Sequence, residues 1–248
     1  MFSFFKKRPH LHSYALLGVD IHSHLLPGID DGAPTLEDSL RLIRGMVELG
    51  YSRLITTPHV NWEYYPNTSA VILDKLAEVR AAIAQENIPV TLEAAAEYYL
   101  DDHFERLLEA DDLLPLPGNH VLVEMSFFGP PPKLEQYLFR LRTKGYQPIL
   151  AHPERYLFMQ GDMRPFQRLK ELGCLFQLNI PSLVGYYDQH VQRQAELLLR
   201  KGFIDLLGAD LHHERHLLAL QDALEHKLLR EALEVRKIGN GRITADGL

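Results

Sequence analysis

The stretch Leu16-Leu-Gly-Val-Asp-Ile-His-Ser-His24 is an apolar, strand-like run that ends in alternating polar residues. It predicts a strand over 16–21. Six later runs have the same character, and segments with helical periodicity separate them. These runs cover 52–57, 88–92, 121–125, 147–151, 175–179 and 204–208. Seven short strands that alternate with helices predict parallel βαβ units. A chain of 248 residues also matches the usual size of a closed (β/α) barrel, about 250 residues.

Apolar residues spaced three and four apart predict the helices between these runs. The predicted helices cover 36–49, 71–84, 134–144, 166–172 and 191–201, and 214–237 is expected to form one or two closing helices. Four of them stop at a glycine, a common helix C-terminal signal. A doubly wound open sheet is the alternative, but no Gly-x-Gly-x-x-Gly follows any predicted strand. We therefore expect an N-terminal segment over 1–15 and one barrel domain over 16–248.

Composition limits the class of protein. The chain is 46% hydrophobic and 24% charged, with a formal net charge of −7. It contains no apolar run of the roughly 18 residues that a membrane span needs, and its acidic balance argues against a dedicated nucleic-acid binder. The single cysteine, Cys174, allows neither an intramolecular disulfide nor a thiolate metal site, which is typical of a cytoplasmic protein.

Polar side chains follow six of the seven predicted strands, at the ends where barrel active sites lie. Five are histidines and three are carboxylates: His22, His24, His59, Glu97, Glu124, His152, Asp210 and His212. A lone His-x-His on a strand is more often a solvated face than a metal site. Here the side chains of residues two apart point to one face of a strand, and one rim of the barrel collects the whole set. The pattern therefore favours a metal centre.

The number and chemistry of these side chains predict more than one ion. A single ion takes roughly four to six ligands, so eight candidates suggest two or three divalent ions. Nitrogen and oxygen donors without thiolate suit zinc, manganese or iron, and the spacing does not choose among them.

The same residues carry a resemblance to a known family. Asp20-Ile-His-Ser-His-Leu-Leu-Pro-Gly-Ile-Asp-Asp-Gly32 resembles the opening motif of PHP-domain proteins, and most of all that of bacterial tyrosine-protein phosphatases of the CpsB/YwqE type. Later elements continue the motif in order: Thr57-Pro-His59, Ala96-Glu-Tyr-Tyr99, Val123-Glu124, Ala151-His-Pro-Glu-Arg-Tyr156 and Asp210-Leu-His212. The similarity runs from about residue 19 to residue 216.

The resemblance implies a distorted seven-stranded, TIM-like (β/α) barrel with a trinuclear centre. The eight residues would be its ligands, with Glu97 or Glu124 bridging, and manganese is the implied metal, with iron or zinc as alternatives. The family pattern also has two phosphate-binding arginines. Arg155 fills the first place, and Arg215 is the candidate for the second, although it stands closer to His212 than in the streptococcal pattern. The implied partner is a phosphotyrosine protein, namely the tail of a bacterial tyrosine kinase that governs capsule or exopolysaccharide synthesis.

On this reading a metal-bound hydroxide attacks the phosphorus of phosphotyrosine while Arg155 clamps the phosphate. Asp31, His213 or His216 could act as general acid. The Cys-x5-Arg motif of ordinary tyrosine phosphatases is absent, because Ile180 occupies the arginine position. Aromatic residues near the rim offer either a substrate surface or plain packing: Trp62, Tyr64, Tyr65, Tyr98, Tyr99, Phe127 and Phe128.

Two other functions remain open from the sequence. Other PHP proteins hydrolyse small phosphomonoesters such as histidinol phosphate. A decayed barrel that acts only as an interaction module is the third possibility, which eight intact ligand positions disfavour. The sequence does not indicate an oligomeric state.

Overall fold

The computed structural model describes residues 11–235, 238 and 240–243. Within this part of the chain there are nine strand segments: Val19–Asp20 (β1), Arg53–Thr56 (β2), His59–Val60 (β3), Thr91–Ala94 (β4), Glu97–Tyr99 (β5), His120–Glu124 (β6), Gln147–Ala151 (β7), Leu175–Asn179 (β8) and Leu206–Gly208 (β9). Eight α-helices accompany them: Leu36–Glu48 (α1), Ser69–Gln85 (α2), Asp102–Glu109 (α3), Leu134–Thr143 (α4), Arg164–Glu171 (α5), Gln189–Lys201 (α6), Glu214–Ala223 (α7) and Lys227–Glu234 (α8).

The strands form two parallel sheets, so the fold is α/β as predicted. One sheet has the order β1-β2-β4, and the other has the order β3-β5-β6-β7-β8-β9. Every pair of neighbouring strands is parallel, which places all the carboxyl ends of a sheet on one edge. No helix in the described residues is both long and apolar enough to cross a membrane.

Two of the predicted strands, 52–57 and 88–92, are each followed by a short second strand that was not predicted, β3 and β5. Thr57-Pro58 separates β2 from β3, and Pro58 has no N–H to donate to a neighbouring strand. Ala95 and Ala96 separate β4 from β5, because the Ala96 N–H turns away and donates to the carbonyl of Leu114 at 3.1 Å. Each interruption lies just before a predicted ligand, His59 or Glu97.

Two predictions about individual elements were wrong, and one helix was missed. The strand predicted over 16–21 is only β1, because Tyr14–Leu16 form a 3-10 helix and Gly18 follows with φ +71°. The strand predicted over 88–92 begins three residues later, after Pro89. Helix α3 was not predicted. Asp101 begins this helix by accepting a hydrogen bond from the Phe104 N–H at 2.8 Å.

The described part of the predicted N-terminal segment packs against the rest of the fold. Leu11 and Tyr14 are buried in the large core between the sheets and the helices. Tyr14 stacks on Tyr51 with ring centroids 5.0 Å apart and donates a hydrogen bond to the carbonyl of Leu220 at 2.7 Å. Residues 1–10 and 236–237, which complete the predicted N-terminal and closing segments, lie outside the described residues.

A second, smaller core lies between the strands. It consists of side chains from both sheets together with Ile243 near the C-terminus. Beside this core, the fully buried Asn240 links β1 to β9. Its amide donates to the carbonyls of Val19 at 2.9 Å and Leu207 at 2.6 Å, and its oxygen accepts from the Leu207 N–H at 3.1 Å. The C-terminal segment thus satisfies backbone groups that β1 and β9 do not satisfy for each other.

We therefore predict that Asn240→Ala lowers the free energy of unfolding by about 2–4 kcal/mol, because buried backbone groups lose their partner. Urea denaturation followed by circular dichroism measures this change. Gln85→Ala, an exposed position at the end of α2, is the control and should change stability by less than about 0.5 kcal/mol. Equal stability of the two variants would contradict the role of Asn240.

Candidate metal centre

The eight predicted ligands converge at the carboxyl ends of the strands. Each histidine of the set has a ring nitrogen within 4.0 Å of a carboxylate oxygen of the set, and each carboxylate lies as close to at least one of the histidines. Six of the eight are buried, and His59 and His212 are partly exposed. The sequence therefore correctly predicted their proximity.

Glu97, fully buried, lies at the middle of the cluster. Its Oε2 is 3.2 Å from His22 Nε2, 3.5 Å from His24 Nε2 and 3.1 Å from His59 Nδ1. Its Oε1 is 3.2 Å from His152 Nε2. One carboxylate therefore faces four imidazoles, an arrangement suited to sharing by two cations.

Asp210 and Glu124 face different imidazoles of the cluster. Asp210 Oδ1 lies 3.4 Å from His22 Nε2 and 3.5 Å from both His24 Nε2 and His212 Nδ1. Glu124 Oε1 is 3.0 Å from His59 Nδ1. The carboxylates thus divide the cluster into overlapping groups rather than one ring of ligands.

Three overlapping groups have the composition and spacing to hold an ion: His24, Asp31, His59 and His212; His22, His24 and Asp210; and His59, Glu97 and Glu124. Several of the atoms that face each other have no hydrogen-bond partner in the described structure although they are buried: His22 Nε2, His24 Nε2, His59 Nδ1 and both oxygens of Glu97. Buried polar atoms are rarely left without a partner, so these atoms fit cations between them.

The second nitrogen of three of these imidazoles is held by an acceptor. His22 Nδ1 donates to Gln177 Oε1 at 2.7 Å, His24 Nδ1 donates to Asp30 Oδ2 at 2.7 Å, and His212 Nδ1 donates to the carbonyl of Asp210 at 2.9 Å. Such contacts fix the tautomer and leave Nε2 free to bind, as is usual for histidines that bind metals. This donor pattern is a second, independent fit to a metal centre.

The loop after β1 contributes two carboxylates with different positions. Asp31 Oδ1 lies 3.5 Å from Nε2 of both His59 and His212. Asp30 holds His24, and its other oxygen accepts from the Gly32 N–H at 3.0 Å. The sequence named Asp31 only as a candidate general acid and did not single out Asp30.

The electrostatics of the cluster favour cations. Burial alone would raise the pKa of Glu97 and Asp210, but the neighbouring imidazoles, His22 foremost, outweigh it and hold both pKa values well below their usual range. Burial would lower the pKa of His22, yet Glu97 and Asp210 raise it to about 9. The cluster thus binds positive charge strongly, and divalent cations compete with protons for the same atoms.

Two ligand candidates have unusual backbone geometry. His152 has φ +36° and Asp210 has φ +49°, and each lies next to or near the carboxyl end of its strand. Non-glycine residues seldom adopt positive φ, and those that do cluster at functional sites. Nearby, a Cβ on Gly208 would lie 2.8 Å from His22 Cβ, so glycine is needed for this close packing.

Strand β8 carries none of the predicted ligands, but it supplies support that the sequence analysis missed. Gln177 holds His22, and its Nε2 donates to Asn179 Oδ1 at 3.0 Å. Asn179 Nδ2 in turn donates to Asp210 Oδ2 at 2.6 Å. Polar residues two apart in an otherwise apolar strand were the available signal, because both point to the same face.

Arg155 borders the cluster from the 3-10 helix Pro153–Arg155 after β7. Its Nη1 donates to Asp210 Oδ2 at 2.9 Å. The side chain also lines two adjoining cavities, of about 460 and 290 Å³. Its position fits the predicted role beside a phosphate.

Arg215, the other predicted phosphate residue, lies elsewhere. It is in the first turn of α7 and lines a separate cavity of about 390 Å³ with Arg41 and Asp38. His212 and His213 border this cavity as well. His213 also lines the 290 Å³ cavity, together with the other two candidate acids, His216 and Asp31.

The aromatic residues fall into two groups. Five line the 460 Å³ cavity above Glu124 and His152: Tyr64, Tyr65, Tyr99, Phe127 and Phe128. Tyr98 is buried in the core, where its hydroxyl accepts from the Leu114 N–H at 2.6 Å. Trp62 packs against His103 with ring centroids 4.9 Å apart and the ring planes tilted by 41°. Packing is therefore the role of Tyr98, whereas the first group walls the approach to the cluster.

Cys174 is buried just before β8, and burial raises the pKa of its thiol to about 12. A thiol with so high a pKa is a poor nucleophile at neutral pH. We therefore predict that Cys174→Ser leaves kcat for a phosphotyrosyl substrate within about twofold, and that native protein resists iodoacetamide. Activity assays and intact mass measurement test this, and a folded but inactive serine variant would contradict it.

Comparisons with known proteins agree with this geometry. A family model described as capsular polysaccharide synthesis, CpsB/CapC, matches residues 18–228. The chain is 30% identical over 196 residues to the tyrosine-protein phosphatase YwqE of Bacillus subtilis, covering 79% of this chain and 77% of YwqE. It is 23% identical over 201 residues to the tyrosine-protein phosphatase CpsB of Streptococcus pneumoniae, covering 79% and 83%.

A solved structure is also similar. It comes from a set of crystal structures of YwqE from Bacillus subtilis and CpsB from Streptococcus pneumoniae, which are described as unique metal-dependent tyrosine phosphatases. The TM-score is 0.76 at 28% identity, and the match covers 84% of this chain and 87% of that chain.

Proposed function

This chain belongs to the CpsB/CapC family of capsular polysaccharide synthesis proteins, and on that premise we propose that it is a metal-dependent phosphatase of phosphotyrosine in proteins. The observation that carries the proposal is the cluster itself. Five imidazoles and three carboxylates, with buried atoms that lack other partners, lie beside an arginine at the base of an aromatic cavity.

We assign the eight residues as metal ligands: His22, His24, His59, Glu97, Glu124, His152, Asp210 and His212. Glu97 would be the carboxylate shared between ions, because both its oxygens face imidazoles, and Asp31 would be an added donor. We propose two or three divalent ions, with manganese first and iron or zinc as alternatives. When bound, such ions activate water and neutralise phosphoryl oxygens.

The chain's own residues orient the substrate. Arg155 has planar N–H groups that match a phosphate bidentately, and it lines the cavity where the aromatic walls end. Those walls fit the flat ring of phosphotyrosine and exclude water from it. Arg215 lines the neighbouring cavity and is proposed to contact phosphate or a flanking acidic group. The phenolate is a good leaving group that needs little help from a general acid. Of the three acid candidates that line the 290 Å³ cavity, Asp31 is assigned instead as a metal donor. Burial lowers the pKa of both His213 and His216, which disfavours them as proton donors at neutral pH.

We further propose that the two sheets form one distorted seven-stranded barrel within a single domain. The parallel bridge between Ser23 and Leu211 supports this, because it links the chain after β1 to the chain after β9. The His24 N–H also donates to the Leu211 carbonyl at 2.9 Å. The proposed substrate is the tyrosine-rich tail of a bacterial kinase that controls capsule or exopolysaccharide synthesis, and the proposed location is the cytoplasm.

The deciding experiment is phosphate release from a phosphotyrosyl peptide by purified protein. We expect release with added manganese, loss of release after chelation, and recovery when manganese is restored. Elemental analysis of the chelated protein confirms that the metal is gone, and circular dichroism confirms that the protein is folded. Histidinol phosphate is assayed in parallel.

Three outcomes would contradict the proposal. No release from folded, manganese-loaded protein would exclude the phosphatase activity, and release by verified metal-free protein would exclude the metal. A higher kcat/KM for histidinol phosphate than for the peptide would favour the small-molecule phosphatase.

A further inference from the structure

Tyr187 contacts two groups of the candidate site, although nothing in the sequence singled it out. It lies in the turn between the 3-10 helix Ile180–Val184 and α6 and lines the 290 Å³ cavity. The guanidinium carbon of Arg155 lies 4.2 Å from the centre of its ring. The ring of Phe127 is a second platform, 4.8 Å from the same carbon. Arg155 is thus placed by aromatic faces as well as by an ion pair.

The hydroxyl of Tyr187 contacts the other end of that ion pair. It donates to Asp210 Oδ2 at 3.2 Å and accepts from Asn179 Nδ2 at 3.0 Å. Asp210 Oδ2 therefore has three donors: Arg155, Asn179 and Tyr187. Its Oδ1 is left facing the imidazoles of His22, His24 and His212.

These contacts leave much of the Arg155 guanidinium available. Among the described residues, its one hydrogen bond goes to Asp210 through Nη1, and the side chain borders both cavities. A cation on an aromatic face is held in one plane but keeps its edge N–H groups. A freely rotating arginine side chain loses much rotamer entropy when it binds a ligand. An arginine that is already held in the binding orientation loses less, which favours binding.

We propose that Tyr187 is a positioning residue for phosphate recognition, whose ring holds the Arg155 guanidinium in the plane that receives a phosphate. The inference rests on the proposed function, because it assumes that Arg155 meets the phosphate of the substrate. The ring carries this role, and the hydroxyl supplements Asn179 and Arg155 at Asp210. Removing the ring should therefore weaken phosphate binding, whereas removing the hydroxyl alone should not.

The experiment separates the ring from the hydroxyl. Hydrolysis of p-nitrophenyl phosphate and its inhibition by inorganic phosphate are measured for Tyr187→Phe, Tyr187→Leu and Tyr187→Met. We expect the leucine and methionine variants to raise KM and the inhibition constant about tenfold, the size of a desolvated cation–π contact. kcat should stay within about threefold of wild type, and the phenylalanine variant should stay near wild type in all three constants.

Two further variants test whether Tyr187 acts through Arg155. Phe139→Leu is the control, because Phe139 is an exposed aromatic residue of α4 outside both cavities that Arg155 lines. It should leave the constants within about twofold. Tyr187→Leu added to Arg155→Ala should cause no further loss, since residues that act through one contact are not additive.

Several results would overturn the inference. One is an unchanged inhibition constant of phosphate in the leucine and methionine variants, and another is an equal rise in KM and in this constant for the phenylalanine and leucine variants. The inference would also fail if the losses in the double variant were additive, or if the leucine variant lost its bound metal. Calorimetric titration of inorganic phosphate into manganese-loaded protein gives a readout without turnover. If wild-type protein hydrolyses no phosphotyrosyl substrate, the proposed function fails, while this titration still compares the Tyr187 variants.

Discussion

Glu97→Gln is expected to lower kcat for a phosphotyrosyl peptide by about a thousandfold or more, since several kcal/mol of metal-dependent stabilisation are at stake. Glutamine keeps the size of the side chain but removes the charge and one acceptor oxygen. Four imidazoles face this carboxylate, so the loss affects more than one ion position. Metal content by elemental analysis should fall together with activity.

Glu93→Gln is the matched control for this variant. Glu93 lies on β4 four residues before Glu97, and it pairs with Arg53 at 2.7 Å. It is away from the cluster, so activity and metal content should match wild type. If Glu97→Gln retained full metal content and activity, the assignment of Glu97 as the bridging ligand would be wrong.

The proximity of the candidate ligands could be predicted because it depends on local patterns. A buried parallel strand is visible as a short apolar run, and its carboxyl end is the residue where that run stops. His22, Glu124 and His152 all lie at such ends. Parallel topology then brings these ends together without any knowledge of long-range contacts. Their role as ligands remains a prediction that mutagenesis must test.

The residues that orient the ligands were harder to predict because their roles depend on how loops return to the site. Asp30 and Asp31 are neighbours, yet Asp30 holds His24 while Asp31 faces His59 and His212. No periodicity distinguishes two adjacent carboxylates in a loop. Tyr187 likewise lies in a turn, where no repeating pattern indicates which way a side chain points.

The closing contacts of the fold were also beyond local patterns. Asn240 bonds to residues 221 and 33 positions away in the sequence, and a buried asparagine in a C-terminal segment has no signature of its own. The break between β2 and β3 was partly visible in the sequence. Pro58 can be recognised as a residue without an N–H. The sequence does not show, however, which neighbouring strand would have accepted a hydrogen bond at that position.

Arg155→Ala is expected to lower kcat/KM for the same peptide about 10²- to 10³-fold, the usual loss when a donor to a developing charge is removed. Arg155→Lys should recover only part of this, because an ammonium cannot form two parallel hydrogen bonds to phosphate. The inhibition constant of inorganic phosphate should rise in the same order, from wild type to lysine to alanine. Steady-state kinetics with phosphate as inhibitor measure both quantities.

Metal content decides how this loss arises. Asp210 Oδ2 keeps Asn179 and Tyr187 as donors when Arg155 is removed, so the ligand should stay in place and the bound metal should match wild type. Arg164→Ala, at an exposed arginine paired with Asp162 at the start of α5, is the control and should change neither metal nor activity. A fall in metal content with Arg155→Ala would show that the arginine supports Asp210 instead of the phosphate. Full activity of Arg155→Lys would exclude bidentate recognition of the phosphate, because a positive charge alone would then be sufficient.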